Sequence, residues 1–469
     1  MPDFNVSLAN NLFPKILEKA VNNRLYQSRF LKEINAAVEK IGYNNPQGLN
    51  TPYRTSENAT LFAVGEGGQI LGGGTPEYAQ GSIDIRKMWK SASFTGDTER
   101  QVDPKIAEIE RQKPELRGNF DELNRVAHNR LVRDQLFSTL NLYAHHENYF
   151  ALQGTDKSTI GVVTGIPGTL GAGNVGFAWA STAQGNRLFE KGQEIQWYNG
   201  ATPREGGMTA VAGVKFSTVD QKVDHRASSN ATNGVVHFSN LANDLAIGDT
   251  AHFRNAYGAL PQGFVTYIDD AGSFKGITRS TDYARFASVM DRRSGSPTLT
   301  PLILGENESF LEGKVGYGEP VVVKILMNKA QRFSYMQNLY NSGGASQIFT
   351  RFIDSQKNGG RVENYNPAVP TKDSALMFGD KEIMTDEHVP PGEVFFVNFA
   401  SWRKYVRTEV KPYAFDSGSY LINPIDQYGL RLDSRQYTIF SEYNWDCLNP
   451  ITNSRITGLG FSASHVRQP

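Results

Sequence analysis

The sequence predicts an α+β fold, on three observations. Apolar stripes at helical spacing run near the start and again between residues 119 and 154. The stretch from 155 to about 290 is rich in glycine, aromatic residues and Asn-Gly pairs, which favours strands and tight turns. From about 300 onward, strand-like segments alternate with a helical one.

Residues 1 to about 43 read as a helical arm. In FLKEINAAVEKIGY, Leu31, Ile34, Ala37, Val38 and Ile41 recur at helical spacing, and Gly42 is the expected stop. After a polar, proline-containing stretch comes AVGEGGQILGGGTPEY, with Gly65, Gly67, Gly68, Gly72, Gly73 and Gly74 in ten residues. Then SIDIRKMWKSASFTGDTERQ places Ile83, Ile85 and Trp89 on one strand face and Asp84, Arg86 and Lys90 on the other. Two extended segments joined by a glycine tip predict a long hairpin. It has too few apolar residues for a core of its own, so it is expected to lie on something else, such as a neighbouring copy.

The longest predicted helix opens at Asn119, with Glu122 three residues on as in a capping box, and stops at Gly154. It would be roughly 50 Å long, the length of a strut. Asn199-Gly200 and Asn233-Gly234 are read as hairpin turns, and a Gly-Asp turn is read in LAIGDTAHF; together they predict an inserted β subdomain at about 205–262. EPVVVKILM is a buried-type strand, Asn328 caps the helix after it, and KEIMTDEHVPPGEVFFVNFASW reads as strand, Pro-Pro-Gly turn, strand. RITGLGF is the last strand.

Composition excludes several classes. Of 469 residues, 39% are hydrophobic, enough to bury a core, so the chain is not disordered. Lys+Arg and Asp+Glu are 48 each, so no basic excess draws it to nucleic acid or an anionic membrane. A single cysteine, Cys447, excludes an internal disulfide framework and is read as a buried small hydrophobe. The start has no signal-like apolar run and no segment is long enough to span a bilayer, so a soluble, intracellularly made protein is expected.

No catalytic set emerges. The glycine tip fails as a P-loop, because Gly73 and Gly74 follow Gly72 where Lys and Ser/Thr are needed, and fails as a dinucleotide loop at Ile70. His145-His146-Glu147-Asn148 fails as a zinc helix, because Phe150 stands where the second histidine belongs; it is read as a solvated or interface face. Gly460-Phe-Ser462-Ala-Ser464 is not a nucleophile elbow. Asp269-Asp270 and Asp386-Glu387-His388 sit beside turns and are read as serving them. No metal, cofactor or enzymatic activity is expected.

The order of parts is arm, glycine-tipped hairpin, long helix, β insertion, α/β domain and returning strands. It resembles the major capsid proteins of tailed bacteriophages, with the Hong Kong 97-type fold. SIDIRKMWKSASFTGDTERQ resembles the descending strand of that family's extended loop. GFVTYIDDAGSFKGITRSTDYARFAS resembles its recurrent turn, here Arg279, Ser280 and Thr281, and KILMNKAQRFSYM resembles its apical-domain helix. The resemblance implies an N-terminal arm at 1–47, an extended loop at 48–100 with its tip at 65–74, and a peripheral domain with a spine helix at 101–154. It further implies peripheral strands at 155–290 around the inserted subdomain, an apical domain at 291–400, returning peripheral strands at 401–445 and an apical C-terminal strand and tail at 446–469.

On this resemblance the chain assembles with itself into hexamers and pentamers of an icosahedral shell around double-stranded DNA. A separate scaffolding protein, a portal protein at one vertex and a decoration or cement protein are the implied partners. The virion is the implied location, and the bacterial host cytoplasm during assembly. The six tip glycines with Ile83, Ile85 and Trp89 become the assembly interface, and the arm and strut helix are also expected to cross between subunits. Some family members weld subunits through a loop lysine; Lys87 and Lys90 lie on the matching strand, but no asparagine or carboxylate partner is identified, so they are read as surface lysines. The rival readings are an encapsulin-like compartment, a β-rich tail or adhesion module and, weakest, a hydrolase.

Overall fold

The computed structural model describes residues 29–42, 49–54, 78–95, 138–166, 173–179, 194–204, 209–215, 233–238, 244–279, 286–315, 323–341, 376–379, 381–414 and 434–461. In chain order the elements begin with α1 (Arg29–Ala37), β1 (Glu39–Gly42), β2 (Leu49–Arg54), β3 (Tyr78–Ile83), β4 (Arg86–Thr95) and α2 (138–153). Next come β5 (Gly161–Gly165), β6 (Gly173–Trp179), β7 (Glu194–Asn199), β8 (Thr202–Pro203), β9 (Thr209–Lys215), β10 (Asn233–Phe238) and β11 (Thr250–Phe253). Then follow α3 (Phe264–Tyr267), β12 (Ser273–Phe274), β13 (Ile277–Thr278), β14 (Val289–Arg292), α4 (Pro301–Val315), β15 (Val323–Met327) and α5 (Lys329–Asn341). The last are β16 (Leu376–Phe378), β17 (Lys381–Thr385), β18 (Val394–Asn398), β19 (Trp402–Pro412), β20 (Ser434–Cys447) and β21 (Ser454–Thr457).

The first sheet has the order β1-β19-β20-β4, with β1 parallel to β19 and the other pairs antiparallel. Helix α2 lies along it and ends at Gly154, as the sequence predicts; the helix start expected at Asn119 falls outside the described residues. Thr139, Tyr143 and Glu147 form an i, i+4 ridge on α2. Thr139 bonds the Tyr437 hydroxyl at 2.5 Å, and Tyr143 meets the Ser441 hydroxyl. Lys404 on β19 donates to Glu147 at 3.4 Å and to Asn35 of α1 at 3.2 Å.

Leu31, Ile34 and Val38 are buried as expected, and Phe30 packs against Phe264 and Phe399. Helix α1 nevertheless ends at Ala37, before the predicted stop at Gly42. Residues 39–42, including Ile41, become a strand because β19 offers a parallel partner. Flanking ion pairs, Arg403–Glu39 and Lys40–Glu409, each at 2.9 Å, accompany that pairing. The described part of the arm therefore belongs to its own subunit's core, which holds its apolar face and edge.

Between Gly154 and Gly263 the chain leaves to build a barrel and returns. Strands β11, β5, β6, β10, β9 and β7 pair in that order, and β7 pairs back onto β11, closing the ring; β8 extends it. Among the described residues the segment 205–262 supplies β9, β10 and β11, which pair with β5, β6 and β7. The subdomain thus starts near 160, and its partners were hidden from the sequence because strand pairing is non-local. A hairpin turn forms at Asn199-Gly200 but one residue on: Asn199 ends β7, paired with Thr202, and Gly200, at φ +62°, and Ala201 make the turn. Asn233-Gly234 does not: both residues are in β10, opposite Ala178 and Phe177 of β6. An available strand partner outweighs local turn preference there.

The neck of this insertion is tightly drawn. Gly263 N–H donates to Gly154 O at 2.8 Å, Gly258 N–H to Lys157 O at 3.1 Å, and Leu260 N–H to Ser158 Oγ at 3.1 Å. A Cβ at either Gly154 or Gly263 would run into the Phe150 carbonyl.

The α/β part holds a six-stranded mixed sheet, β14-β21-β18-β15-β17-β16. Asn328 Oδ1 accepts from Ala330 N–H at 3.0 Å, the predicted cap of α5. The strands on either side of Pro390-Pro391-Gly392 are not neighbours: β15 lies between them, parallel to β17 and antiparallel to β18. Ile325, Met327, Val394, Phe396 and Ile456 form the core with Ile303, Leu304 and Leu311 of α4.

Candidate assembly surfaces

The predicted long hairpin is two structures in sequence. Strand β3 pairs with β2 from Tyr78↔Arg54 to Ile83↔Leu49, and these two strands form a sheet of their own. The six tip glycines, Gly65 to Gly74, lie outside the described residues. At the hairpin's base Ile83 is buried and Ser82 N–H donates to Lys275 O at 3.2 Å, and further along β3 Gly81 is buried and Ala79 packs on the core. Tyr78, on the far side, is exposed.

Asp84 and Ile85 interrupt the strand, and Asn444 Nδ2 donates to Asp84 O at 2.9 Å across the break. From Arg86 the chain is β4, which pairs with β20 over ten positions, Arg86↔Tyr443 to Thr95↔Ser434. This corrects the expectation that 86–95 belongs to a loop reaching another subunit; it is a strand of its own subunit's sheet. The break also resets the alternation. Ile83 and Met88 face inward, and Trp89, expected beside Ile83 and Ile85, turns outward and is 46% exposed. Its ring lies 5.1 Å from Phe440 and 4.9 Å from Tyr413, making an aromatic patch on the sheet. Sequence alternation missed this because the break at Asp84–Ile85 shifts the alternation by one residue, and a one-residue shift turns every later side chain to the other face.

Lys87 Nζ lies 3.4 Å from Glu442 of the same chain, and Lys90 stands opposite Ile439 in the β4–β20 register. Glu442 also faces Arg407 at 3.5 Å.

A second set of surface apolar groups lies on the α/β part. On α4, Leu302 and Phe310 are 71% and 58% exposed while Ile303, Leu304 and Leu311 face the core. Phe333 on α5 is also half-exposed. They carried no motif, and only the helix orientation reveals them.

The chemistry-bearing clusters have structural work. Contrary to the expectation of a solvated or interface face, His146, Glu147 and Asn148 are buried: His146 meets Phe253 of the barrel and Glu147 meets Lys404. Asp269 Oδ1 accepts from Asp270 N–H at 2.8 Å, and Asp386 Oδ1 from His388 N–H at 2.8 Å, each serving its turn. Arg279 of the recurrent turn is buried and donates to the carbonyls of Thr266, Tyr267, Ala271 and Phe286 at 2.8–3.0 Å. Cys447 is buried, and burial pushes its thiol up to about 11, far from a nucleophile's range. Among the described residues no three His, Cys, Asp or Glu are grouped to hold a metal, and no helix is long and apolar enough to cross a membrane.

No family model and no curated protein matches the chain. Solved structures do. Phage capsids are among them. The cyanophage A-1(L) capsid asymmetric unit is 9% identical, covering 93% of each chain, with a TM-score of 0.46. The capsid of Myoviridae phage XM1 is 8% identical, covering 92% of each chain, with a TM-score of 0.41. The holo-SrpI encapsulin complex from Synechococcus elongatus PCC 7942 is 7% identical over 93% of this chain and 89% of that one, with a TM-score of 0.40. Each of these TM-scores is below 0.5.

Proposed function

We propose that this chain is the major capsid protein of a tailed bacteriophage. It self-assembles as hexamers and pentamers into a head shell that encloses double-stranded DNA, and it is not an enzyme. One observation carries the reading: the β2–β3 hairpin rests one face of β3, through Ala79, Gly81 and Ile83, on its own core, yet forms a separate two-stranded sheet whose other face, with Tyr78 and Gln80, is exposed. A two-stranded hairpin is marginal in water unless it lies on another surface. A neighbouring subunit is that surface for the exposed face. The aromatic patch at Trp89 and the apolar positions Leu302, Phe310 and Phe333 supply further contacts between copies.

The assembly needs no cofactor. Its implied partners are a scaffolding protein during growth, a portal protein at one vertex, a decoration or cement protein, and DNA held without sequence preference. A chain of zero net charge suits a container, since each phosphate-neutralising lysine would strengthen DNA retention.

The test is sedimentation of the purified chain, with and without its scaffolding partner, followed by imaging of the fast fraction. Uniform rings or closed shells are expected, with DNA in native particles. A chain that remains a monomer at high concentration in both conditions sinks the proposal, and particles filled with protein instead of DNA replace it with an encapsulin-like compartment.

A further inference from the structure

The short hairpin β12–β13 turns on Lys275 and Gly276, at φ +52° and +86°, with Phe274 opposite Ile277. Positive φ at both positions belongs to a type I′ turn, whose first place ordinarily goes to Asn, Asp or Gly. A lysine is strained there, so the position is not chosen for the turn. Its side chain does not reach water either: it is 2% exposed. It runs inward to β20, where Nζ is in direct contact with Oδ1 of Asp446, whose side chain is wholly buried. The Cys447 carbonyl lies 3.5 Å from the same nitrogen, and the Phe274 and Tyr267 ring centroids lie 4.8 and 5.8 Å away.

An ammonium and a carboxylate buried together lose more hydration than their attraction returns, unless the surroundings satisfy both. Burial drives the Lys275 amine well below the ordinary lysine value, towards the uncharged nucleophile. Passing the proton from ammonium to carboxylate leaves an amine against a carboxylic acid. Both are then neutral, as a low-dielectric site favours. Two reactants held in contact on opposed backbones have a very high effective concentration.

We propose that Lys275 and Asp446 condense into an isopeptide bond within the chain. The Nζ lone pair attacks the Asp446 carboxyl carbon. An N–C bond forms and a C–O bond breaks, and the hydroxyl departs with one amine proton as water. No oxidant or other reactant is consumed. The remaining amide N–H faces the Cys447 carbonyl, and neither partner keeps a charge. The bond fastens the turn whose Lys275 carbonyl holds Ser82 to β20, the strand shared by β19 and β4. It fixes the root of the projecting hairpin inside one subunit, unlike a weld between subunits through Lys87 or Lys90.

The test is the intact mass of the folded full-length chain, purified and then denatured, with peptide mapping. Wild type is expected to be lighter than its sequence by one water, with one fragment joining the peptides that contain Lys275 and Asp446. Lys275→Arg is expected at its full sequence mass. Wild type at full mass overturns the proposal, whether or not the variant folds. A deficit confined to the Asp446 peptide, as in a succinimide, or one that persists in Lys275→Arg, overturns it equally.

Discussion

At the residue scale, single positions hold distant parts together. Gly154 is both the stop of α2 and the point where the chain leaving for the barrel meets the chain returning at Pro261–Gly263. A methyl group there meets the Phe150 and Pro261 carbonyls, and rigid backbone cannot give way as a side-chain end can. Gly154→Ala is expected to cost about 1–3 kcal/mol, read as a lower denaturation midpoint. His252 sets an acid limit on the barrel. Burial holds it down to about 4, against backbone carbonyls at Ser158 and Lys157 that pull it up. The unfolded chain takes its proton near 6.5 and the folded chain refuses it until about 4. Stability is therefore full above about 6.5 and falls as pH drops toward 4, by at most about 3 kcal/mol. Denaturation of wild type and His252→Gln across that window is expected to show the extra loss only in wild type.

At the element scale, α2 is the member that joins arm, sheet and barrel. Its Glu147 meets Lys404, which also reaches Asn35 of α1, and burial lowers the Lys404 amine. Cutting one partner leaves the other charge stranded, so Glu147→Gln is expected to cost roughly 3–5 kcal/mol. The pair Glu147→Leu with Lys404→Met is expected to recover most of that loss, since it removes both charges; a double-mutant cycle in denaturant reads the difference. Strand β4 makes a different statement. Its backbone is fixed by β20, while Trp89 presents an aromatic face outward. Trp89→Ala is expected to lower monomer stability by no more than about 1.5 kcal/mol through lost stacking on Phe440 and Tyr413. It is expected to weaken shells more than monomers. A variant whose isolated monomer unfolds would show that this ring serves its own subunit alone.

At the scale of the whole molecule, three folded parts share a chain that crosses between them repeatedly. The strands β19 and β20 return after the α/β part to complete the first sheet, so neither part closes without the other. The core between them joins α1, α3, β18, β19 and β20 through Phe30, Phe264, Phe395, Trp402 and Trp445. Leu302→Asp with Phe310→Asp is expected to leave the monomer's unfolding midpoint within about 0.5 kcal/mol, because both groups already stand in water. The same variant is expected to sediment as smaller species than wild type under assembly conditions. Unchanged assembly would remove α4 from the contacts between copies.

Much of this was legible in the sequence because it is local. The apolar spacing of Leu31, Ile34 and Val38, the stop at Gly154, the turn at Gly200 and the Asn328 cap each depend on residues within a few positions. The mixed α+β character and the order of parts follow from such signals. What the tertiary structure decided is pairing across long separations. It turned 39–42 into a strand because β19 lay beside it, drew Asn233-Gly234 into β10, closed the barrel from β5 to β11, and moved 86–95 from a projecting loop into the central sheet. It also brought Lys275 to Asp446, residues that no spacing rule connects. The reason is physical: a hydrogen-bonded strand partner and a dry environment come from the fold as a whole, and neither is encoded in the neighbours of the residue that receives them.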